Sequence, residues 1–516
     1  MEHASRTRPG RTVADLMTSP AVTAAASESL TAAASRMASE RVGSVVVLDD
    51  GALAGILTER DLLAAGAAGA DPAAATVGEW MTPGPDVVGP DEEVIDAWRR
   101  FAEHGYRHVP VVAGDEVKGV VSLRDLVRVA QLRPVDGLYT DVPRGLEGVV
   151  AAETSIGSVR GMEGFFHYRQ YDATELARTR SFEDVCQLLF DGELPEAGRP
   201  SVADELAGLS SLPAGLEALL PGIVAASPGA PLLDQLRSAV SLLGAVEGMR
   251  PTRDLTHVEL RRDALRIVAA MPLLAAALHR LAGGLAPVPS DPALGMAANY
   301  LAMLTGSRPS PEAAAALERY LVLTIDHGLN ASTFTARVVA STGADLAAAV
   351  VAAIGALSGP LHGGAPSRAL DTLDAIGTPE RAEAHITSLV ASGERIMGFG
   401  HRVYKTVDPR SELMKETARE IGAPLSGLAE QVEQTVLSVL AEMKPDRKLY
   451  TNVEFFAGVV MDGCGIPRQM FTPTFALSRT VGWCAHVLEQ AADNRIIRPA
   501  SRYVGPCPGQ PVPRRH

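Results

Sequence analysis

Basic residues and cysteines are scarce in this 516-residue chain, and long clean apolar runs are missing. Lysine and arginine number 47 against 61 aspartates and glutamates, a formal charge of −14. Binding to polyphosphate or to an anionic bilayer needs a basic face that displaces counterions, so neither nucleic acid nor a membrane is expected as a partner. Cys186, Cys464, Cys484 and Cys507 lie far apart without a CxxC pair, which offers neither a disulfide framework nor a zinc site. No metal is expected. The most apolar stretch, 264–288, carries Arg266, His279 and Arg280, and 346–357 is too short to span a bilayer. The basic N-terminus has no apolar segment behind it, so no secretory signal is read and a cytoplasmic compartment fits.

What is present is an ordinary globular balance, 47% apolar and 21% charged, with length for about two to four domains. An internal repeat divides it. Thr12-Val13-Ala14-Asp15-Leu16-Met17-Thr18 returns as Thr76-Val77-Gly78-Glu79-Trp80-Met81-Thr82, and Gly55-Ile56-Leu57-Thr58-Glu59-Arg60-Asp61 as Gly119-Val120-Val121-Ser122-Leu123-Arg124-Asp125. Both pairs keep one offset of 64 residues, the mark of a tandem duplication over 12–132. Each copy reads as a β-hairpin with two helices. In the first, strands at 44–48 and 53–57 flank an Asp49-Asp50-Gly51 turn, a helix precedes them at 30–39, and another opens at Thr58. Beyond 134 a glycine-rich stretch predicts turns and small strands. Long Ala/Leu helices follow, for example 232–246, 257–281, 311–324 and 425–443.

At the strand-to-helix junction of each copy, a hydroxyl, free helix-terminal amides and an Asp carboxylate can share the hydroxyls and phosphate of a nucleotide. The same residues also make ordinary helix caps. The repeated pattern resembles the tandem CBS (cystathionine β-synthase) domain pair, or Bateman module. That resemblance implies an adenine-nucleotide effector at Thr58/Asp61 or Ser122/Asp125, with Arg107 or Arg124 available to phosphate.

In the helical part, His327, His362 and His401 stand beside glycines, and Arg410, Arg479 and Arg498 supply guanidinium groups of the kind that bind carboxylates bidentately. Arg410 also has Asp408 and Glu412 as local partners. The motifs Gly359-Pro360-Leu361-His362-Gly363-Gly364-Ala365, Met397-Gly398-Phe399-Gly400-His401-Arg402-Val403-Tyr404-Lys405, Asp408-Pro409-Arg410, Asn452-Val453-Glu454-Phe455 and Arg479-Thr480-Val481-Gly482-Trp483 resemble those of citrate synthases, in the same order. The resemblance implies a mainly α citrate synthase fold of large and small helical domains behind an α/β tandem CBS module. Expected bounds are 12–68 and 76–132 for the CBS domains and 137–510 for the synthase, its small subdomain at roughly 365–470.

It also implies site roles. His362 would hydrogen-bond the thioester oxygen of acetyl-CoA while Glu454 removes a methyl proton. His401 would polarise the ketone of oxaloacetate, and His327, Arg410 and Arg479 would hold that substrate. Arg498 would reach into a neighbouring subunit, making a homodimer or higher oligomer the working unit. Arg395, Ile396, Met397, Gly398, Phe399, Gly400 and Lys405 would line CoA. No tightly bound cofactor is implied. The expected activity is that of a Si-type citrate synthase, an acyltransferase that converts acyl into alkyl, regulated by an adenine nucleotide. The alternatives are a 2-methylcitrate synthase using propionyl-CoA, a catalytically impaired nucleotide sensor, and a repeat pair serving only as an oligomerisation scaffold. Two departures from the family pattern stand out: Glu454 replaces the usual aspartate, and Pro366-Ser367 replace the common Asn-Glu.

Overall fold

The computed structural model describes residues 12–126, 144–146, 148–362, 365–394, 396–400, 404, 406–443 and 449–501. The chain divides into two units, Met1–Ala151 and Ala152–His516.

In the first unit, copy one forms β1 (Thr23–Ala25), α1 (Leu30–Glu40), β2 (Ser44–Asp49), β3 (Ala52–Thr58) and α2 (Glu59–Ala67). The β2–β3 hairpin closes through Asp50 and Gly51, both at positive φ, as a two-residue turn with the strand twist requires. Copy two supplies α3 (Val77–Trp80), β4 (Thr82–Pro83), α4 (Val94–His104) and the hairpin β5 (His108–Ala113)–β6 (Glu116–Ser122). The two copies exchange their opening segments. Thr82 pairs with Ile56 of copy one, and its repeat mate Thr18 pairs with Val120 of copy two. Ser29 bridges Thr76 just as Glu93 bridges Thr12. Val77 is therefore buried in the core of copy one and Val13 in that of copy two. Neither copy has a complete core without the other's first turn.

The second unit begins with a small antiparallel sheet, β7 (Gly157–Arg160), β8 (Phe165–Tyr168) and β9 (Tyr171–Asp172). Helices build the rest. Those that position the site are α5 (His257–Ala282), α6 (Pro311–Thr324), α7 (Ala331–Ser341), α8 (Leu346–Leu357), α9 (Pro409–Glu420), α10 (Val453–Gly463) and α11 (Phe471–Ala492). Arg266, His279 and Arg280 do not interrupt α5. It is long and apolar enough by composition to cross a membrane, but most of that stretch is buried against other helices, including α11. A helix apolar on all sides along its central stretch is what the middle of a large core requires. Helix α11 is buried along nearly all its length and contacts α5, α6, α7 and α8. At Gly482 any side chain would meet the Ile325 carbonyl oxygen at 2.3 Å, so this glycine lets α11 lie against the loop after α6.

Candidate active site

His362 follows α8 in a turn and faces the N-terminus of α7. Asn330 caps that helix by accepting from the amides of Ser332 and Thr333. The Ser332 amide also lies 3.3 Å from His362 Nε2, and the Ser332 hydroxyl 2.9 Å from it. An amide can only donate, so Nε2 accepts and the ring proton sits on Nδ1. The Trp483 indole N–H donates to Ser332 Oγ from the far side, over 3.1 Å. Burial and the Arg479 guanidinium push the His362 pKa down to about 4. The ring is a neutral hydrogen-bond donor at physiological pH.

Glu454 stands in the first turn of α10, its amide bonded to the side chain of the cap Asn452. Burial raises its pKa to about 7; Arg410 opposes that rise and Asp408 adds to it. The Arg410 guanidinium is fully engaged on one side by Asp408, Nε to Oδ1 at 3.0 Å and Nη2 to Oδ2 at 2.9 Å. Its charge also lies over the rings of Tyr404 and Phe166. Asp408 accepts from the Val453 amide too, at 3.2 Å, which ties the Arg410 turn to the start of α10. Sequence proximity offered Asp408 and Glu412 as partners; the structure uses Asp408.

His327 lies in the loop after α6, with Nε2 3.2 Å from Tyr404 Oη. Arg479 is buried on α11, its Nε donating to the Thr324 carbonyl at 2.8 Å. Burial lowers the Arg479 pKa, and Asp326 restores part of it. Asp326 and His486, which sequence reading missed, are also buried here, and the imidazole Nε2 approaches Asp326 Oδ1 to 3.2 Å.

The segment Ile396–Gly400 runs against residues 450–452. Gly400 N donates to Tyr450 O at 2.7 Å, and Asn452 Nδ2 donates to Gly400 O at 3.0 Å. Gly398 has φ +86°, and a β-carbon there would strike Phe455 at 2.8 Å. One cap, Asn452, thus aligns both this loop and Glu454. His362, Arg410, Glu454 and Arg479 fall within electrostatic reach of one another or of shared neighbours, and His327 meets Arg410 at their shared neighbour Tyr404. Arg498 does not join them: it is exposed, its chain anchored next door where Ile497 N donates to Ser341 Oγ. Met397 is half-buried and Ile396 buried. His401, Arg395 and Lys405 lie outside the described residues.

In the first unit, Thr58 and Asp61 form a capping box on α2: Asp61 Oδ2 accepts from Thr58 N at 2.8 Å and from its hydroxyl at 2.7 Å. Ser122 and Asp125 repeat it at 3.0 and 2.5 Å. His108 extends from β5 to copy one, its Nε2 2.9 Å from where a β-carbon on Gly43 would stand. Burial lowers its pKa, while Glu59 and Asp125 work the other way.

Comparison with known proteins places this geometry. The family model "Citrate synthase, C-terminal domain" matches residues 145–500, and the "CBS domain" model matches residues 13–68 and 77–131. A citrate synthase of Deinococcus radiodurans is 38% identical over 370 residues, covering 71% of this chain and 96% of its own. Citrate synthase 2 of Bacillus subtilis is 38% identical over 72% of this chain and 98% of its own. The ternary complex of Thermoplasma acidophilum citrate synthase with carboxymethyl coenzyme A and oxaloacetate superposes with a TM-score of 0.67 at 27% identity, covering 72% of this chain and 98% of that one. Fold and relatives define an acyltransferase of the kind that turns the acyl group into an alkyl group on transfer. The chain belongs to the citrate synthase family and carries a tandem CBS pair ahead of its synthase region.

Proposed function

We propose that this protein condenses acetyl-CoA with oxaloacetate and water to give citrate and CoA. The observation that carries this reading is the opposite tuning of two groups: His362 neutral with a donor at Nδ1, and Glu454 titrating near 7. A thioester methyl is too weak an acid for a carboxylate alone. A base near neutrality and a fixed donor on the developing enolate oxygen remove that barrier together. Glu454 takes the proton, His362 Nδ1–H holds the thioester oxygen, and the new carbon nucleophile attacks the oxaloacetate ketone, which takes up a proton. Water then releases CoA from the thioester. Arg410, Arg479 and His327 orient the dicarboxylate, and the 396–400 loop, with Arg395 and Lys405, borders CoA.

The working unit in this reading is a dimer. Helix α8 leaves Ala348, Val351, Ala352, Gly355 and Ala356 part-exposed along one face, and a β-carbon at Gly355 would touch nothing within its own chain. A second copy covering that face would also receive the exposed Arg498. In the CBS pair each cap uses Oδ2 of its aspartate, and among the described residues Oδ1 of Asp61 and Asp125 would remain for ribose hydroxyls of an adenine nucleotide that modulates turnover.

Oxaloacetate-dependent CoA release, compared for acetyl- and propionyl-CoA, tests the chemistry. One methylene is worth about 1–3 kcal/mol, so at least a tenfold higher kcat/KM for acetyl-CoA is expected. A propionyl preference would reassign the enzyme to 2-methylcitrate synthesis. A panel of AMP, ADP and ATP on the full chain tests the regulation, and unchanged turnover with no binding heat would remove it.

A further inference from the structure

Behind the oxaloacetate residues lies a buried polar chain that touches no reacting atom. Arg337 of α7 is 4% exposed and donates from Nη1 to Glu489 Oε2 at 2.7 Å, from Nε to Gln490 Oε1 at 3.1 Å and from Nη2 to the Glu153 carbonyl at 3.4 Å. Glu489 is itself held by the amide and hydroxyl of Ser155, at 2.7 and 2.9 Å. The same Arg337 Nη1 lies 3.0 Å from His486 Nδ1. A guanidinium has donors only, so Nδ1 must accept and the imidazole proton is left on Nε2. That nitrogen lies 3.2 Å from Asp326 Oδ1, a contact of charge rather than an aligned hydrogen bond, and neither buried atom has a hydrogen-bond partner among the described residues. Asp326 Oδ2 accepts from the Gly328 amide at 2.9 Å, a turn that encloses His327 between its two ends. The Tyr168 hydroxyl donates to the Asp326 carbonyl at 3.1 Å, which fixes the backbone of the same turn. His486 and Asp326 are 0% and 1% exposed, so water supplies neither with a substitute partner.

We infer that His486 is a positioning residue for oxaloacetate: Arg337 holds its imidazole in one tautomer, and its Nε2–H, through electrostatic attraction across 3.2 Å, holds the Asp326 turn that carries His327. Without that imidazole, the buried Asp326 Oδ1 loses the one polar group that faces it among the described residues, and the turn shifts toward any other donor within reach. Both His327 and Arg479 depend on where that carboxylate sits, the first through the chain and the second through charge. The inference rests on the reading that these two residues hold the dicarboxylate. It assigns to a guanidinium–imidazole–carboxylate chain a role in affinity for one substrate rather than in bond making.

The test compares His486→Leu with His486→Gln in the full-length protein, measuring kcat and KM for each substrate at saturation of the other. Glutamine can accept from Arg337 and donate to Asp326; leucine can do neither. The leucine variant is expected to raise the oxaloacetate KM by about 10- to 100-fold, as displacement of an orienting group by about an ångström does, with the acetyl-CoA KM changed less than about twofold. The glutamine variant is expected within about threefold of wild type on both. Equal impairment of both variants, or a loss confined to kcat, overturns the inference in favour of a packing role. Where His486→Leu fails to fold, Arg337→Lys gives the same readout. Lysine keeps a charge near Glu489 but cannot reach Nδ1, Gln490 and Glu153 together. Wild-type protein lacking oxaloacetate-dependent turnover overturns the functional reading and this inference with it. Active wild type with an unmoved oxaloacetate KM in both variants overturns this inference alone.

Discussion

The CBS pair and the synthase cleft use the same residue types in opposite ways. In the pair, Asp61 and Asp125 find their partners three residues away, in self-contained caps at two helix starts. In the cleft, His362 is set by Ser332, thirty residues upstream, and by Trp483 on another helix. Glu454 is tuned by burial and by Arg410 and Asp408 on the neighbouring α9 turn. Local caps satisfy themselves and depend little on the rest of the molecule. The cleft groups owe their protonation states to the tertiary structure, so single changes there should cost far more.

The sharpest way to break this contrast is Glu454→Gln, which keeps shape and removes the base. It is expected to lower kcat by about 10³-fold, within the usual range for a positioned acid–base group, measured as CoA release on folded protein. A loss under tenfold would place the base elsewhere.

The pH dependence follows from the same group. Glu454 acts only when ionised, so with its pKa near 7 the rate should fall about tenfold per pH unit below that point. His362, at about 4, stays neutral through this window and adds no limb of its own. In stability the sign reverses. A pKa raised from 4.5 means the folded state holds this proton more tightly than the unfolded state, so its contribution is present at low pH and lost as pH rises through 7. Glu454→Gln should therefore gain stability relative to wild type above pH 7, as denaturant titrations at pH 5 and 8 can show.

Ser332→Ala sharpens the comparison at a middle scale. It removes the hydroxyl that links His362 to Trp483 while leaving the Ser332 amide on Nε2. A loss of about tenfold in kcat/KM is expected, the worth of about one net hydrogen bond. Smallest are Asp61→Ala and Asp125→Ala, each removing one capping box. Each should cost about 1 kcal/mol of module stability, similar in the two copies because the caps are equivalent. A much larger cost at one of them would show that the copies are not equivalent.

Much of the fold could be read directly. The 64-residue offset, the turn at Asp50-Gly51 and the helices at 232–246 and 311–324 follow from short-range pattern, and the structure has them at those bounds. The ordered His and Arg motifs likewise named the family. The exchange of opening segments between the copies was not legible, because pairing Thr18 with Val120 satisfies the same local pattern as pairing within one copy. The helix expected at 257–281 is also there, as α5, with Arg266, His279 and Arg280 within it.

By itself, then, the sequence determined the tandem module, the helical synthase and the candidate reacting groups, because repeats, turns and glycine-flanked histidines are encoded over a few neighbouring residues. Only the tertiary structure decided which nitrogen of His362 carries its proton, why Glu454 titrates near 7, and that Arg337, His486 and Asp326 form one chain behind His327. Protonation and tautomer depend on burial and on partners brought from distant helices, and no local pattern of residues encodes those distances.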